Sequence, residues 1–492
     1  MDNLKQKTLS GFVYKFAERG AAQGISFIVQ IILARLLMPE EFGTIALLTV
    51  LITILDVFVT YGFGNSLVVN KKSDDLDFST CFFFGIFLSL VMYGIVFICS
   101  PYISAFFYGH DELDILVKVM ALRMPIAAIN SVQHAYVAKQ MKFRLFFYAT
   151  LIGTVLSGVV GISMAYLGFG VWALVGQYMG NAVFNTITLW FMSEWKPRML
   201  FSFQRLKAIY DYGWKILAVG MIDTVFSQIR SLIIAKQYTR SSLAYYNRGV
   251  GFPHFGMKMI EPTISGVLFP ALSNCNDNPQ MMKSITRRVI KISTFVICAV
   301  MCFLFAAAKP IVMVLLTEKW EPCIVFLQIG CVAYLLRPLN IIHNSIIRAS
   351  GRSELLLKVN ILNKIIGLGI LLILMPYGVE AIAWSYVIFN YITTFVHIWV
   401  NKGLLKYGFL EQFRDIGANL TVGLIMGVLV WLVMLLPIGW SSMLFLQIIV
   451  GISSYILISH FLNVESFTYI NKLITNKLKI RKNYYKKGVS CE

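Results

Sequence analysis

Fourteen apolar stretches, each long enough to cross a bilayer as a helix, run through this 492-residue chain at 12–37, 42–69, 80–108, 114–138, 144–167, 170–193, 212–237, 243–270, 289–316, 321–347, 355–375, 379–400, 414–437 and 441–463. A spanning helix needs ~20 mostly apolar residues, whereas a lipid-facing strand shows about ten of alternating polarity. The bilayer offers backbone groups no water, so irregular chain cannot replace either one. The spacing therefore predicts an all-α polytopic membrane protein of about fourteen transmembrane helices. Charged residues make up only 14% of the chain and hydrophobic ones 58%, with a mean hydropathy of +0.72. Soluble domains carry about a quarter charged residues, so a water-soluble multidomain enzyme is excluded. The loops are short, and neither a phosphate-cradling GxxxxGK[ST] loop nor an HExxH helix is present. No enzymatic activity, cofactor or metal site is expected. The cysteines lie mostly inside apolar runs (Cys81, Cys99, Cys298, Cys302, Cys331) and read as small hydrophobes. The opening MDNLKQKTLSG leads into no short apolar core with a small-residue cleavage site, so no cleavable signal is expected.

Orientation follows from the basic residues, which collect in cytoplasmic loops. With the N-terminus in the cytoplasm, 28 lysines and arginines fall on that side and five (Arg35, Lys236, Arg240, Lys309, Lys319) on the other. Both termini are then cytoplasmic, which an even helix number requires. The basic tail NKLITNKLKIRKNYYKK suits anionic headgroups rather than nucleic acid.

The chain also repeats itself. Residues 32–43 align with 233–244 at an offset of 201, pairing Ala34 with Ala235, Arg35 with Lys236 and Phe42 with Leu243. Residues 130–176 align without gaps with 340–386 at an offset of 210, pairing Asn130 with Asn340, Lys142 with Arg352, Leu145 with Leu355, Gly168 with Gly378 and Ala173 with Ala383. An even number of helices separates the copies, so the repeat is parallel. The expected organisation is an N-lobe at 1–193, a cytoplasmic linker at 194–211, a C-lobe at 212–401, two further helices at 402–465 and the tail at 466–492. Transporters of this build bind substrate in a cavity between the lobes and rock one against the other.

Ten basic residues lie within the spans (Lys15, Arg19, Lys118, Arg123, Lys215, Arg230, Arg248, Lys258, Arg337, Lys364) against four acids, Glu18, Asp56, Asp223 and Glu261. A charge at bilayer depth costs ~2.5–3.5 kcal/mol on insertion scales, so such groups face a partner or a cavity. Lys15, Lys118 and Lys215 stand near segment ends, where the ammonium can snorkel to the headgroups. Lys15 with Glu18, and Lys258 with Glu261, are three residues apart and spaced to pair. The arginines cannot shed their charge. The substrate-binding candidates are Arg19, Arg123, Arg230, Arg248, Lys258 and Arg337, with Asp56, Asp223 and Glu261 as charge partners or ion-coupling groups. A cation excess selects an anion, and the planar guanidinium favours phosphate. The eighth span holds Pro253, Pro262 and Pro270 and is expected to bend and line the path. His134, His254 and His343 are titratable near neutral pH, although hydrogen bonding within the bundle is their ordinary role.

The stretches FAERGAAQGISFIVQIILARLLMPEEFGTIALLTVLITILDVFVTYGFGNSLV, LAYYNRGVGFPHF with VLFPALS, and KWEPCIVFLQIGCVAYLLRPLNIIHNSIIRASGRSELLLKVNILNK resemble the polysaccharide transporter family, in its branch of lipopolysaccharide and teichuronic acid exporters. That resemblance implies the multidrug, oligosaccharidyl-lipid and polysaccharide exporter superfamily, with twelve core helices in two lobes, often with two more. It also implies a flippase for an undecaprenyl-diphosphate-linked oligosaccharide in the bacterial cytoplasmic membrane. Glycosyltransferases and a polymerase would be pathway partners, and one chain holding both lobes is expected to work as a monomer. Lipid II flippases of that superfamily use cavity arginines near the first, second and eighth helices. Arg19 and Arg248 stand on comparable helices here, while the second span carries Asp56 instead. The rival within the same fold is a cation-coupled multidrug exporter, which would need an acid-dominated pocket. A membrane polymerase or glycosyltransferase acting on the same carrier is the rival from another class.

Overall fold

The computed structural model describes residues 20–475 except 21, 61–66, 68–72, 108–110, 276, 277, 470, 473 and 474. The described residues include these α-helices in order: α1 Ala22–Leu36, α2 Pro39–Thr60, α3 Asp75–Phe107, α4 Asp111–Ala121, α5 Arg123–Lys139, α6 Phe143–Tyr166, α7 Val171–Met192, α8 Phe203–Gln237, α9 Arg240–Ser273, α10 Pro279–Ala306, α11 Ala308–Leu315, α12 Cys323–Leu335, α13 Arg337–Ala349, α14 Ser353–Leu374, α15 Val379–Leu405, α16 Phe409–Leu432 and α17 Trp440–Phe461. The described residues contain no strand. Eleven helical stretches among them are long and apolar enough to cross a membrane. The first expected span is described from Ala22 as a shorter apolar helix. The sixth and eighth fold as α7 and α9, long helices whose polar residues hold them outside the eleven. The chain is thus a helical, multi-pass membrane protein.

The chain divides between Asn247 and Arg248 into two compact units. In the first, α6 and α7 form a hairpin whose backbones approach where side chains are absent: a Cβ on Gly153 would stand 3.1 Å from Asn185, and one on Gly161 2.6 Å from the Gln177 side chain. Small residues and polar contacts hold helices together in lipid, where burying apolar surface gains little. Accordingly Asn130 Nδ2 donates to Asn185 Oδ1 at 3.1 Å and Asn181 Nδ2 to Ser157 Oγ at 3.4 Å. The stretch between α7 and α8 is fastened to this unit. Trp195 is buried beside Phe78, Phe82 and Tyr136, its carbonyl accepts from Gln133 Nε2 at 3.3 Å, and the Ser202 amide donates to Thr80 Oγ1 at 3.2 Å. At the same place the Asp74 carboxylate accepts the Asp77 amide at 3.0 Å and faces Arg205 at 3.7 Å, so its pKa lies below the ordinary carboxylate range. This anchor is therefore complete above that range and weakens as pH falls through the lowered value.

In the second unit α10 packs on α16, with Asn419 Nδ2 donating to the Lys291 carbonyl and to Thr294 Oγ1, both at 2.9 Å. The expected irregular eighth span is a continuous helix, α9, running through all three prolines. Each proline withholds one ladder hydrogen bond, and helix continuity comes from packing against neighbours.

The repeat is visible in the backbone. Met141 (φ 55°) and Gly351 (φ 68°) are both left-handed and 210 residues apart; so are Gly168 (φ 81°) and Gly378 (φ 106°). The helix leading into the first of these turns has 17 residues in α5 and 13 in α13, and each begins with arginine directly after a break in its span, at Leu122 and Leu336. A side chain in the left-handed region costs roughly 1–2 kcal/mol. Met141→Gly should therefore raise stability by about 1 kcal/mol and Gly351→Ala lower it comparably, as read by thermal unfolding in detergent. Nothing lies within 4 Å of a Cβ on Gly351, so that variant reports torsion rather than crowding.

Candidate functional site

The breaks in the fourth and tenth spans set one arginine at the start of each following helix, and in both copies a carboxylate from another helix meets it. Arg123 Nε lies 3.9 Å from Asp56 Oδ2 of α2, and Arg337 Nη2 lies 3.5 Å from Glu261 Oε1 of α9. Close charge-assisted contacts settle at ~2.7–2.9 Å, so both pairs are loose. The side chains are about one-third exposed for each arginine (33% and 32%), 17% for Asp56 and 40% for Glu261, so both pairs are only partly buried. Asp56 and Glu261 stand on the second and eighth spans, which are repeat equivalents. The two ion pairs are thus copies of one arrangement.

Around the second pair the cations outnumber the acid. The charges of Lys258 and Arg337 both act on His254, whose ring stacks on Tyr334 at 5.8 Å. Lys258 is exposed, and Glu261 turns to Arg337 rather than to the lysine one turn before it. Tyr386 lies edge-on to Tyr334 at 5.8 Å. Lys258, Arg337, Glu261, His254 and two tyrosines therefore gather from α9, α12, α13 and α15. On the same helix, the Arg248 guanidinium lies 5.3 Å over the fully buried Trp320 ring, a cation–π contact.

The remaining candidates lie elsewhere. Arg230 on α8 is buried, with 5% exposure, and Asp223 two turns before it is exposed. Arg19 lies outside the described residues. Lys118 is bound to Asp114 at 2.7 Å, one turn away on α4, and that carboxylate also takes the Ser100 hydroxyl. Asp114 opens its apolar segment, a position at which a carboxylate reads as loop rather than as a partner within the span. The histidines are held in the bundle: His134 stacks on Phe146 at 4.6 Å and His343 meets Gln412 at 2.9 Å. No motif or spacing singles out His397, which is buried and 3.2 Å from Asn363. The described residues hold no group of three or more His, Cys, Asp or Glu able to bind a metal.

Among solved structures, the fold resembles the lipid II flippase MurJ in an inward closed conformation, with a TM-score of 0.74 and 14% identity over 92% of this chain and 98% of that one. In sequence, the chain is 24% identical to the succinoglycan biosynthesis transport protein ExoT of Rhizobium meliloti (strain 1021) over 298 residues, 60% of each protein, so the match spans three fifths of that relative's length. It is 21% identical to the lipopolysaccharide biosynthesis protein WzxC of Escherichia coli (strain K12) over 73% of each. A family model described as polysaccharide biosynthesis protein matches residues 32–325, well over half of the chain. Two diverged copies of a helical unit, each carrying an intramembrane arginine and its carboxylate, are the form this sequence takes as a member of the polysaccharide biosynthesis protein family.

Proposed function

We propose that this protein is a flippase carrying an anionic, undecaprenyl-diphosphate-linked oligosaccharide, a repeat unit of O-antigen, capsule or exopolysaccharide, across the bacterial cytoplasmic membrane by alternating access. The observation that carries this reading is the duplicated loose ion pair. Each copy keeps a permanently charged planar fork inside the apolar span, and each fork is held by a carboxylate at a distance a closer anion would improve on. A diphosphate offers both the charge and the bidentate oxygen geometry that guanidinium prefers. Its oxygens would replace Asp56 and Glu261, releasing those carboxylates, while the polyprenyl tail stays in lipid. Lys258, whose charge reaches His254 as that of Arg337 does, adds a further cation to the cluster. The family, the transport and lipopolysaccharide biosynthesis relatives and the flippase fold support the same substrate class. Both termini face the cytoplasm in this scheme, and glycosyltransferases and a polymerase act before and after the flip.

The test is complementation. A strain lacking this gene should accumulate the lipid-linked repeat unit on the inner leaflet and lose surface glycan, and the intact gene should restore both. Unchanged surface glycan in the null strain would remove the proposal. An exporter of cationic drugs would need carboxylates in excess of cations, the reverse of the Glu261 cluster, and unchanged drug susceptibility in the null strain is expected.

A further inference from the structure

Three helices change from charged to apolar at one level in the second unit. In α10 the charges end at Lys291 and ISTFVICAVMCFLFA follows; in α16 they end at Asp415 and an uncharged run follows to Leu432; the uncharged α17 ends just before Glu465. Ion pairs bind them together there: Lys283 to Glu411 at 2.8 Å, Arg287 to Asp415 at 2.5 Å, and Lys291 to both Asp415 and Glu465. A boundary of this kind marks the headgroup layer of the bilayer. At that level a cavity of about 420 Å³ is lined by Gln280, Lys283, Ser284, Arg287, Arg288, Lys291 and Glu465.

Its charge balance is uneven. Four cations meet three carboxylates, and Lys283, Arg287 and Lys291 between them engage Glu411, Asp415 and Glu465. Arg288 is the surplus: it is exposed, and its guanidinium lies 5.4 Å over the Tyr469 ring. Ser284 and Gln280 stand one and two turns before it on the same helix face and supply neutral donors. Serine, amide and guanidinium donors around an uncompensated charge suit a phosphate oxygen, and the adjoining apolar surface suits acyl chains.

We propose that this cavity binds the phosphodiester of an anionic phospholipid and so clips the annular lipid to the junction of α10, α16 and the segment after α17. The site is separate from the duplicated ion pairs and stands whether or not the flippase reading does.

Purified full-length protein, equilibrated in mixed micelles with equal phosphatidylglycerol and phosphatidylcholine, tests it by native mass spectrometry. Retained lipid should be mostly phosphatidylglycerol. Arg288→Ala should weaken its retention about five-fold and Arg288→Glu about thirty-fold, while Arg348→Glu, at an exposed arginine of another loop, should change it less than two-fold. Arg288 is exposed, so both variants should elute as the native protein does, and Arg288→Ala carries the test if the reversal fails to fold. Equal retention of the two lipids, or undiminished retention in the Arg288 variants, overturns the proposal. Millimolar inorganic phosphate and glycerol phosphate form the second arm. Neither should displace the lipid, and displacement by either would mark a soluble phosphate site instead.

Discussion

Arg123→Ala and Arg337→Ala should each lower surface-glycan export by about ten- to hundred-fold, the loss expected when a charged hydrogen bond worth about 1.5–3 kcal/mol is removed. Protein amount in the membrane should stay near normal, because both side chains are partly exposed and their pairs are loose. The carboxylate variants separate this from a structural role. If the pairs only hold the bundle together, Asp56→Asn and Glu261→Gln should do as much harm as the arginine changes, since each strands a cation. If the arginines serve an anion, the amide variants leave the receptor intact and export is retained. Arg337→Lys keeps the charge but loses the fork and should fall between native and alanine. Quantifying cell-surface glycan in the null strain with membrane protein levels normalised reads all five variants. Full rescue by both alanine variants would leave the cation excess without a task.

Gly249→Leu should abolish folded protein, while Gly251→Ala two residues away should be neutral or stabilising. A Cβ at 249 would stand 2.6 Å from the Cys323 carbonyl and from the Phe326 Cβ, and 2.8 Å from the Leu327 amide, all in or beside α12. Two of those atoms are backbone, so no rotamer change makes room and α9 must move off its neighbour. Overpacking of this kind costs about 1–3 kcal/mol or more. A Cβ at 251 meets nothing within 4 Å, and alanine in a helix interior gains roughly 0.5–1 kcal/mol over glycine. Monodisperse yield by fluorescence-detected size exclusion should separate the two; equal yields would mean that α9 and α12 do not approach this closely in the membrane.

The helical, multi-pass class was legible because a bilayer needs long apolar runs, and the repeat was legible wherever turns fixed it, as at Gly168 and Gly378. The relation between the two arginines was not. A gapless offset of 210 sets Arg123 opposite Ala333, and an offset of 201 sets Asp56 opposite Met257. Only the helix lengths of 17 and 13 residues reveal that both partners slipped by four positions together. Asp56 and Arg123 are 67 residues apart, and no local period reports a contact made by packing. Lys258 with Glu261 shows the converse error: favourable spacing on one helix suggested a pair, but the acid is taken by Arg337 on another. Asp114 was missed for a simpler reason, since a carboxylate at the edge of an apolar segment reads as loop.

The four-residue slip gives each pair its own register against the turn that ends its helix. Measured from the left-handed turns at Met141 and Gly351, Arg337 sits four residues closer to its turn than Arg123 does, about 6 Å along the helix axis. Glu261 is displaced by the same amount along its own helix. The arginine and its carboxylate moved in step, so what the two halves inherited is a matched couple rather than two fixed addresses in the chain.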